Sequence, residues 1–286
     1  MSKKFYIIFF LLFLSIPATF SQSAWSDADI EKQSVNAFED IVDKFKTDKS
    51  KSTGDLLIKI GRYLLEKPYV GHTLEHNDTE QLVVNLLQFD CTTLAENCLA
   101  LARTLKNPVC RYDTFRKELQ AIRYRNGQIA DYTSRLHYFS DWIFNNVQKN
   151  IVRDISCEMG NVPFTVYVDY MSQHPESYKM LKNNAGFINK ITATEKEISA
   201  RKNCFIPKNE IQKYESLIHD GDILGITTNM KGMDISHVVM AVYENKQLRI
   251  LHASSKLMKV VISNETLIQY LANRSDATGI VIARPL

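Results

Sequence analysis

The sequence predicts an α+β fold, with helices gathered in its first half and an antiparallel sheet in its last third. Up to about Asn150, apolar residues recur at spacings of three and four, the period of a helix with one buried face. From Asp222 onward, short runs rich in β-branched and aromatic residues are separated by turn residues, as in ILGITT, SHVVMAVY, QLRILHAS and GIVIARP. The two kinds of element are segregated along the chain, which is the mark of the α+β class.

The 286 residues are 45% hydrophobic, enough for a sizeable core in one large domain or two small ones. The formal charge of +3 is mild, and no long basic stripe points to nucleic acid. At the N-terminus, Lys3 and Lys4 precede an apolar run from Phe5 to about Ile16, and the small polar stretch PATFSQS follows. This pattern predicts a secretory signal peptide over residues 1–23. The run is shorter than the ~20 residues that a spanning helix needs, and no second long apolar segment exists. No cysteine directly follows it, so a lipid anchor is not expected. The mature chain, 24–286, is read as a single exported domain, periplasmic and without an integral membrane segment.

In chain order, Ala28 to Phe45 reads as an amphipathic helix with Ile30, Phe38, Ile41, Val42 and Phe45 on one side. KTDKSKSTG is a polar loop. Asp55 to Glu66 reads as a second helix, and KPYVGHTLE as a polar and aromatic loop. Leu82 to Leu87 is an apolar approach to FDCTTLAENCLALA, Phe89 to Ala102. There Leu94, Ala95, Cys98, Leu99, Ala102 and Leu105 mark one buried helix face, and Pro108 ends the pattern.

Two further helix patterns, separated by Asn126-Gly127, fill the stretch to Asn150. The second is read as carrying Arg135, His137, Asp141 and Trp142. FTVYV is strand-like, and MSQHPESYKML reads as helical. The whole span of about 110–200 is expected to be a helical insertion. A short helix from Glu210 to Ile218 leads into the strands. Glu244-Asn245-Lys246-Gln247 is a hairpin turn between SHVVMAVY and QLRILHAS. KVVI is another strand, Glu265 to Asn273 a helix, and GIVIARP the closing strand.

Cys91 falls in the first turn of its helix, with Asp90 near the N-cap. Unpaired N–H groups and the positive helix end meet there, an environment expected to lower a thiol pKa and to stabilise an oxyanion. Taken alone, Asp-Cys at a helix start favours an ordinary cap and a buried, structural cysteine. Two later residues change the balance. His237 begins one strand and His252 lies near the end of its hairpin partner, so their side chains can approach. A cysteine, a histidine and a group that orients the histidine make a nucleophile–base–orienter set. Five cysteines in an exported chain leave at least one thiol free. No CxxC pair or Cys/His cluster has zinc-ligand spacing, and no metal or cofactor is expected.

These residues resemble the NlpC/P60 superfamily of papain-like cell-wall cysteine amidases. The resemblance rests on Phe89-Asp90-Cys91, the loop Pro68-Tyr69-Val70-Gly71, Gly221-Asp222, Ser236-His237-Val238 and His252-Ala253. FDCTTLAENCLALA, YRNG with RLHYFSDWI, GDILGITT, LRILHASS and GIVIARP are similar to the branch known as N-acetylmuramoyl-L-alanine amidase-like, or domain of unknown function 1460. The similarity runs from about Gly54 to Pro285. It implies a papain-like core, with the nucleophile helix packed on an antiparallel sheet. It also implies hydrolysis of the bond between N-acetylmuramic acid and L-alanine in peptidoglycan fragments.

By the same resemblance Cys91 is the nucleophile, His237 the base, His252 the orienter, and Tyr69 assists the oxyanion. Val239 stands where the superfamily usually has glycine, and would narrow the site or pack into the core. In related endopeptidases the acid before the cysteine binds a free amine, which a muramyl amide lacks. Asp90 is therefore a cap or serves another contact. A saccharide site needs aromatic faces and directional polar groups, which Arg135, His137, Tyr138, Asp141 and Trp142 could supply. The plain alternative is an amphipathic helix with Trp142 in the core and surface ion pairs. Glu75, His72 and Ser236 complete the expected substrate contacts. Two other functions fit the same residues: a stem-peptide endopeptidase, and a muropeptide-binding protein without chemistry.

Overall fold

The computed structural model describes residues 27–286 apart from 161 and 166. The expected signal segment, 1–23, lies outside these residues. No described helix is long and apolar enough to cross a membrane.

The N-terminal half is helical. Helix α1 (Asp27–Phe45) buries Ile30, Phe38, Ile41 and Phe45 along one face. Helix α2 (Thr53–Tyr63) is capped by Ser52, which accepts from Asp55 N at 3.0 Å. Helix α3 (Cys91–Lys106) is buried along most of its length. Helices α4 (Tyr112–Arg123) and α5 (Phe139–Gln148) follow. Their apolar faces form one core with the near side of the sheet.

Next come the short strand β1 (Val152–Asp154), the single turn α6 (Ser156–Met159), strand β2 (Val162–Phe164) and the single turn α7 (Tyr170–Gln173). Helix α8 (Ala185–Ala200) and strand β3 (Asn203–Pro207) close the insertion. Its own small core joins Tyr132, Tyr138, Val168, Met171, Leu181, Ile191 and Ile198. A disulfide between Cys157 and Cys204 ties the turn α6 to β3, leaving Cys91, Cys98 and Cys110 as free thiols.

The last part is the turn α9 (Ile211–Tyr214), strands β4 (Ile223–Thr228), β5 (Ile235–Glu244), β6 (Gln247–Ser254) and β7 (Lys259–Ile262), helix α10 (Leu267–Ala272) and strand β8 (Ala277–Pro285). The sheet runs β2-β3-β8-β4-β5-β6-β7, with β1 also on β8, and every pair is antiparallel. Its far face packs a second core that includes Val239, Ile250, Leu267 and Leu271. Asn245 and Lys246, both with positive φ, make the two-residue turn between β5 and β6. Gly221 (φ +82°) lets the chain entering β4 touch the start of α2, since a Cβ there would lie 2.2 Å from Gly54 O.

The segregated α+β plan is as expected, and three local readings are corrected. Arg135 and His137 precede α5 rather than ride on it. A 3₁₀ turn at Tyr132–Ser134 and a bridge from Tyr124 to Arg135 hold that stretch extended until Tyr138. MSQHPESYKML is not one helix: α7 stops before Pro175, which opens a separate 3₁₀ turn. FTVYV contributes only Phe164 to β2.

Candidate active site

The site is assembled from a loop, a helix start and two diverging strands. After α2 the chain runs beside β7: Glu66 N donates to Val260 O at 2.9 Å, and Tyr69 N to Met258 O at 3.0 Å. It then meets the residue that precedes the helix cap. Phe89 N donates to Pro68 O at 3.0 Å, and Val70 N to Phe89 O at 2.9 Å. Phe89 is fully buried, so Tyr69 is pinned next to Asp90-Cys91.

Asp90 is the N-cap of α3. Its Oδ1 accepts from Thr93 N at 2.7 Å, and Asp90 N donates to Thr93 Oγ1 at 2.9 Å, a reciprocal capping box. Cys91 is the first helical residue and half-buried.

Strands β5 and β6 pair only from Glu244–Gln247 back to Met240–Leu251. Beyond that point the two strands no longer pair, and α3 packs against both. The Val238 N–H, which β6 does not meet, donates to the Cys91 sulfur. His237 and His252 lie past the last pair, and Nε2 of His237 is 2.8 Å from Nδ1 of His252. That contact uses Nε2 of His237 and Nδ1 of His252, and Nδ1 of His237 takes no part in it.

Burial pushes the Cys91 thiol up to about 11, with the Asp90 charge adding to it; the N–H groups of Val238 and Thr92 oppose the rise. Burial, with His252 and Arg274, depresses His237 to about 3, and burial with Arg274 depresses His252 to about 4. Burial and the charges of Cys91 and Asp90 hold the Tyr69 hydroxyl above its usual range. The lowered thiol pKa expected at the helix end is therefore not found. Desolvation and the adjacent carboxylate outweigh the hydrogen bonds from Val238 and Thr92, and the resting pair is neutral thiol and neutral imidazole.

A cavity of about 230 Å³ opens beside Cys91 and His237. Thr92, Ser236 and Val238 line it from the core, and Asp234 from the loop before β5. His137, Tyr138, Tyr170, Met171 and Tyr178 line it from the insertion. Both Asp234 oxygens are taken by backbone: Ser140 N donates at 2.7 Å and Ile235 N at 2.8 Å.

Of the expected substrate contacts, His137 and Ser236 do line this cavity. Burial first, then Arg135, depresses His137 to about 3, and its Nε2 lies 2.8 Å from Tyr132 O. Glu75, Arg135, Asp141 and Trp142 do not line the cavity, and neither does Asp90. Arg135 is buried against Glu75 (2.7 Å) and Glu80 (2.9 Å). Asp141 is held at 2.6 Å by both Arg125 and Arg201. Trp142 is 1% exposed and stacks on Phe139 with centroids 5.0 Å apart. These side chains support the wall rather than face its opening. Val239 is buried in the far-side core, which settles its place as packing.

Sequence reading missed the aromatic pair Tyr170 and Tyr178, and a polar group behind the histidines made of Tyr270, Arg274 and Asp276. The short Arg-x-Asp after α10 was the one local signal of the latter. Among the described residues, no group of three or more His, Cys, Asp or Glu could hold a metal ion.

Residues 59–280 match the model of the AmiA-like family, described as N-acetylmuramoyl-L-alanine amidase-like. No curated protein matches. An N-acetylmuramoyl-L-alanine amidase from Bacteroides uniformis ATCC 8492 is 38% identical, with TM-score 0.78, over 82% of this chain and 98% of that one. A Bacteroides fragilis protein provisionally named a xylanase is 40% identical, with TM-score 0.76, over 79% of this chain and 99% of that one. A Legionella pneumophila protein at 22% identity and TM-score 0.69, covering 91% and 97%, shares the fold.

Proposed function

Since the chain belongs to the N-acetylmuramoyl-L-alanine amidase-like family, we propose that it is an exported cysteine amidase of NlpC/P60 type. It cuts the amide between N-acetylmuramic acid and L-alanine in peptidoglycan fragments, in cell-wall turnover or recycling. The observation that carries the reading is the Cys91 sulfur at the start of α3, against Val238 N–H and beside the His237–His252 pair. A papain-like core is consistent with a nucleophile helix set against an antiparallel sheet.

The thiol is protonated at rest, so His237 acts as a general base at the moment of attack. Its Nδ1 takes the thiol proton as sulfur bonds to the lactyl carbonyl carbon. The Cys91 N–H and the Tyr69 hydroxyl donate to the oxyanion; the raised pKa of Tyr69 keeps it a donor. Collapse breaks the C–N bond, and the imidazolium returns its proton to the nitrogen of L-alanine. Water, deprotonated by His237, then releases the muramic acid carboxyl and restores the thiol. His252 fixes the ring of His237 throughout.

The aromatic cavity wall of Tyr170 and Tyr178 takes the place of Trp142 as the face for the sugar. A glycosidase reading fits less well. Such enzymes use a pair of carboxylates, whereas among the described residues Asp234 is the one carboxylate lining the cavity, and it is committed to two backbone N–H groups.

The test is mass analysis of products from an N-acetylmuramyl-L-alanyl peptide, run beside the free peptide. Release of N-acetylmuramic acid supports the assignment. Cleavage of the free peptide alone would make the protein an endopeptidase, and no turnover with an inert Cys91 would make it a binding protein. For export, loss of residues 1–23 from protein recovered in the periplasm is the expected result; an intact N-terminus in the cytosol would overturn it.

A further inference from the structure

Tyr270, Arg274 and Asp276 stand behind the imidazole pair, and the chemistry above uses none of them. Tyr270 meets His252 edge to face, with centroids 5.6 Å apart. Its hydroxyl accepts from Nη1 of Arg274 at 3.3 Å. Nη2 of Arg274 donates to Asp276 at 3.0 Å and reaches the hydroxyl of Ser236 at 3.4 Å. Ser236 immediately precedes His237. One guanidinium is thus clamped between the helix that covers His252 and the strand that carries His237. Its side chain is 30% exposed, so solvent screens it only in part.

A guanidinium keeps its charge at any working pH, and a fixed positive charge disfavours a second one nearby. Burial is the largest cause of the depression on both rings; Arg274 adds to it on each, after His252 at His237, while Asp276 opposes it at His237. The other ionisable groups around the pair are Cys91 and Asp90 at the start of α3, and the phenols of Tyr69 and Tyr270. Burial holds Cys91 and both phenols in their neutral forms.

We propose that Arg274 is a positioning residue of the reaction: a cation fixed by Tyr270, Ser236 and Asp276 that keeps the His237–His252 pair uncharged until the thiol proton arrives. The inference rests on His237 being the base. Its chemical use lies in the second proton transfer. An amine is a poor leaving group, and an imidazolium beside a fixed cation is a stronger acid toward it. The cost falls on the first transfer, from Cys91 to His237 across the cavity that both line.

The pair can be titrated without turnover. Histidine ring resonances would be followed by NMR against pH in Cys91→Ala, alone and combined with Arg274→Gln, Arg274→Lys or Asp276→Asn. Removing the cation should raise the apparent midpoint of the pair by about one pH unit. Arg274→Lys should hold it near the parent, and Asp276→Asn should lower it. With Cys91 present, the acid limb of kcat/KM should move the same way. Midpoints unmoved in folded Arg274→Gln and Asp276→Asn, or both moved in one direction, would overturn the proposal. Should Arg274→Gln not fold, Asp276→Asn still tests the sign. The NMR readout stands even if no muropeptide is cleaved, so the two readings fail separately.

Discussion

Nε2 of His237 lies 2.8 Å from Nδ1 of His252, although the two residues do not face each other in the strand ladder. Continuing the Met240–Leu251 register would set His252 opposite Val239. The rings meet on a diagonal because β5 and β6 have already parted. The contact therefore depends on ring reach, and a shorter side chain cannot replace it. His252→Ala is expected to lower kcat by at least ~100-fold with little change in KM. Steady-state kinetics check this, and an unchanged kcat would remove His252 from the mechanism.

The thiol should be slow to react at rest. With Cys91 pushed up to about 11, alkylation by iodoacetamide at neutral pH should be slow and should climb steadily into the alkaline range. Peptide mapping separates Cys91 from Cys98 and Cys110. Fast modification at pH 7 would mean that a thiolate–imidazolium pair exists before substrate binds.

Asp90 raises the thiol pKa while capping the helix. Asparagine caps nearly as well, so Asp90→Asn should leave the melting temperature almost unchanged. Loss of the negative charge lowers the thiol pKa, and alkylation at a given pH should be faster than in the parent. A slower reaction would reverse the sign of this electrostatic account.

The disulfide closes a loop that carries Tyr170, Met171 and Tyr178 to the cavity, with Cys157 and Cys204 separated by 47 positions in sequence. Chain-entropy arguments give about 4 kcal/mol for a loop of that length. Cys157→Ala/Cys204→Ala should lower the melting temperature and raise KM more than it lowers kcat. Equal KM in the folded double variant would show that the wall does not bind substrate.

Asp141 joins Arg125 and Arg201 under the wall. Its removal leaves two cations without their anion, and the expected loss for breaking a buried pair is about 3–5 kcal/mol. Asp141→Ala should thus be read in denaturant unfolding rather than in substrate affinity. A stable variant with a raised KM would return Asp141 to the binding site.

The residues legible in the sequence are those announced by local signals. Asp90 caps a helix within one turn of its start, and β5 and β6 are joined by two turn residues. What stayed hidden depended on distant partners. Arg135 finds Glu75 60 residues away, and periodicity cannot say whether an amphipathic face carrying Trp142 meets a ligand or a core. Helix α8 lies within the span expected to be helical but without bounds of its own; Glu195 is buried in its middle, where Tyr138 Oη donates to it at 2.7 Å. A pattern of apolar residues does not reveal a buried carboxylate. Arg274 follows His237 by more than 30 residues, and only the fold of β8 back against β4 brings it to the histidines.

The central claim is that Cys91 takes the muramyl group and releases the peptide. Rapid acid quench of the enzyme with an N-acetylmuramyl-L-alanyl peptide, followed by intact-protein and peptide mass analysis, tests it directly. The account predicts an adduct on the Cys91 peptide with the mass of N-acetylmuramic acid less water. An adduct that retains L-alanine, or turnover with no adduct on Cys91, would contradict it.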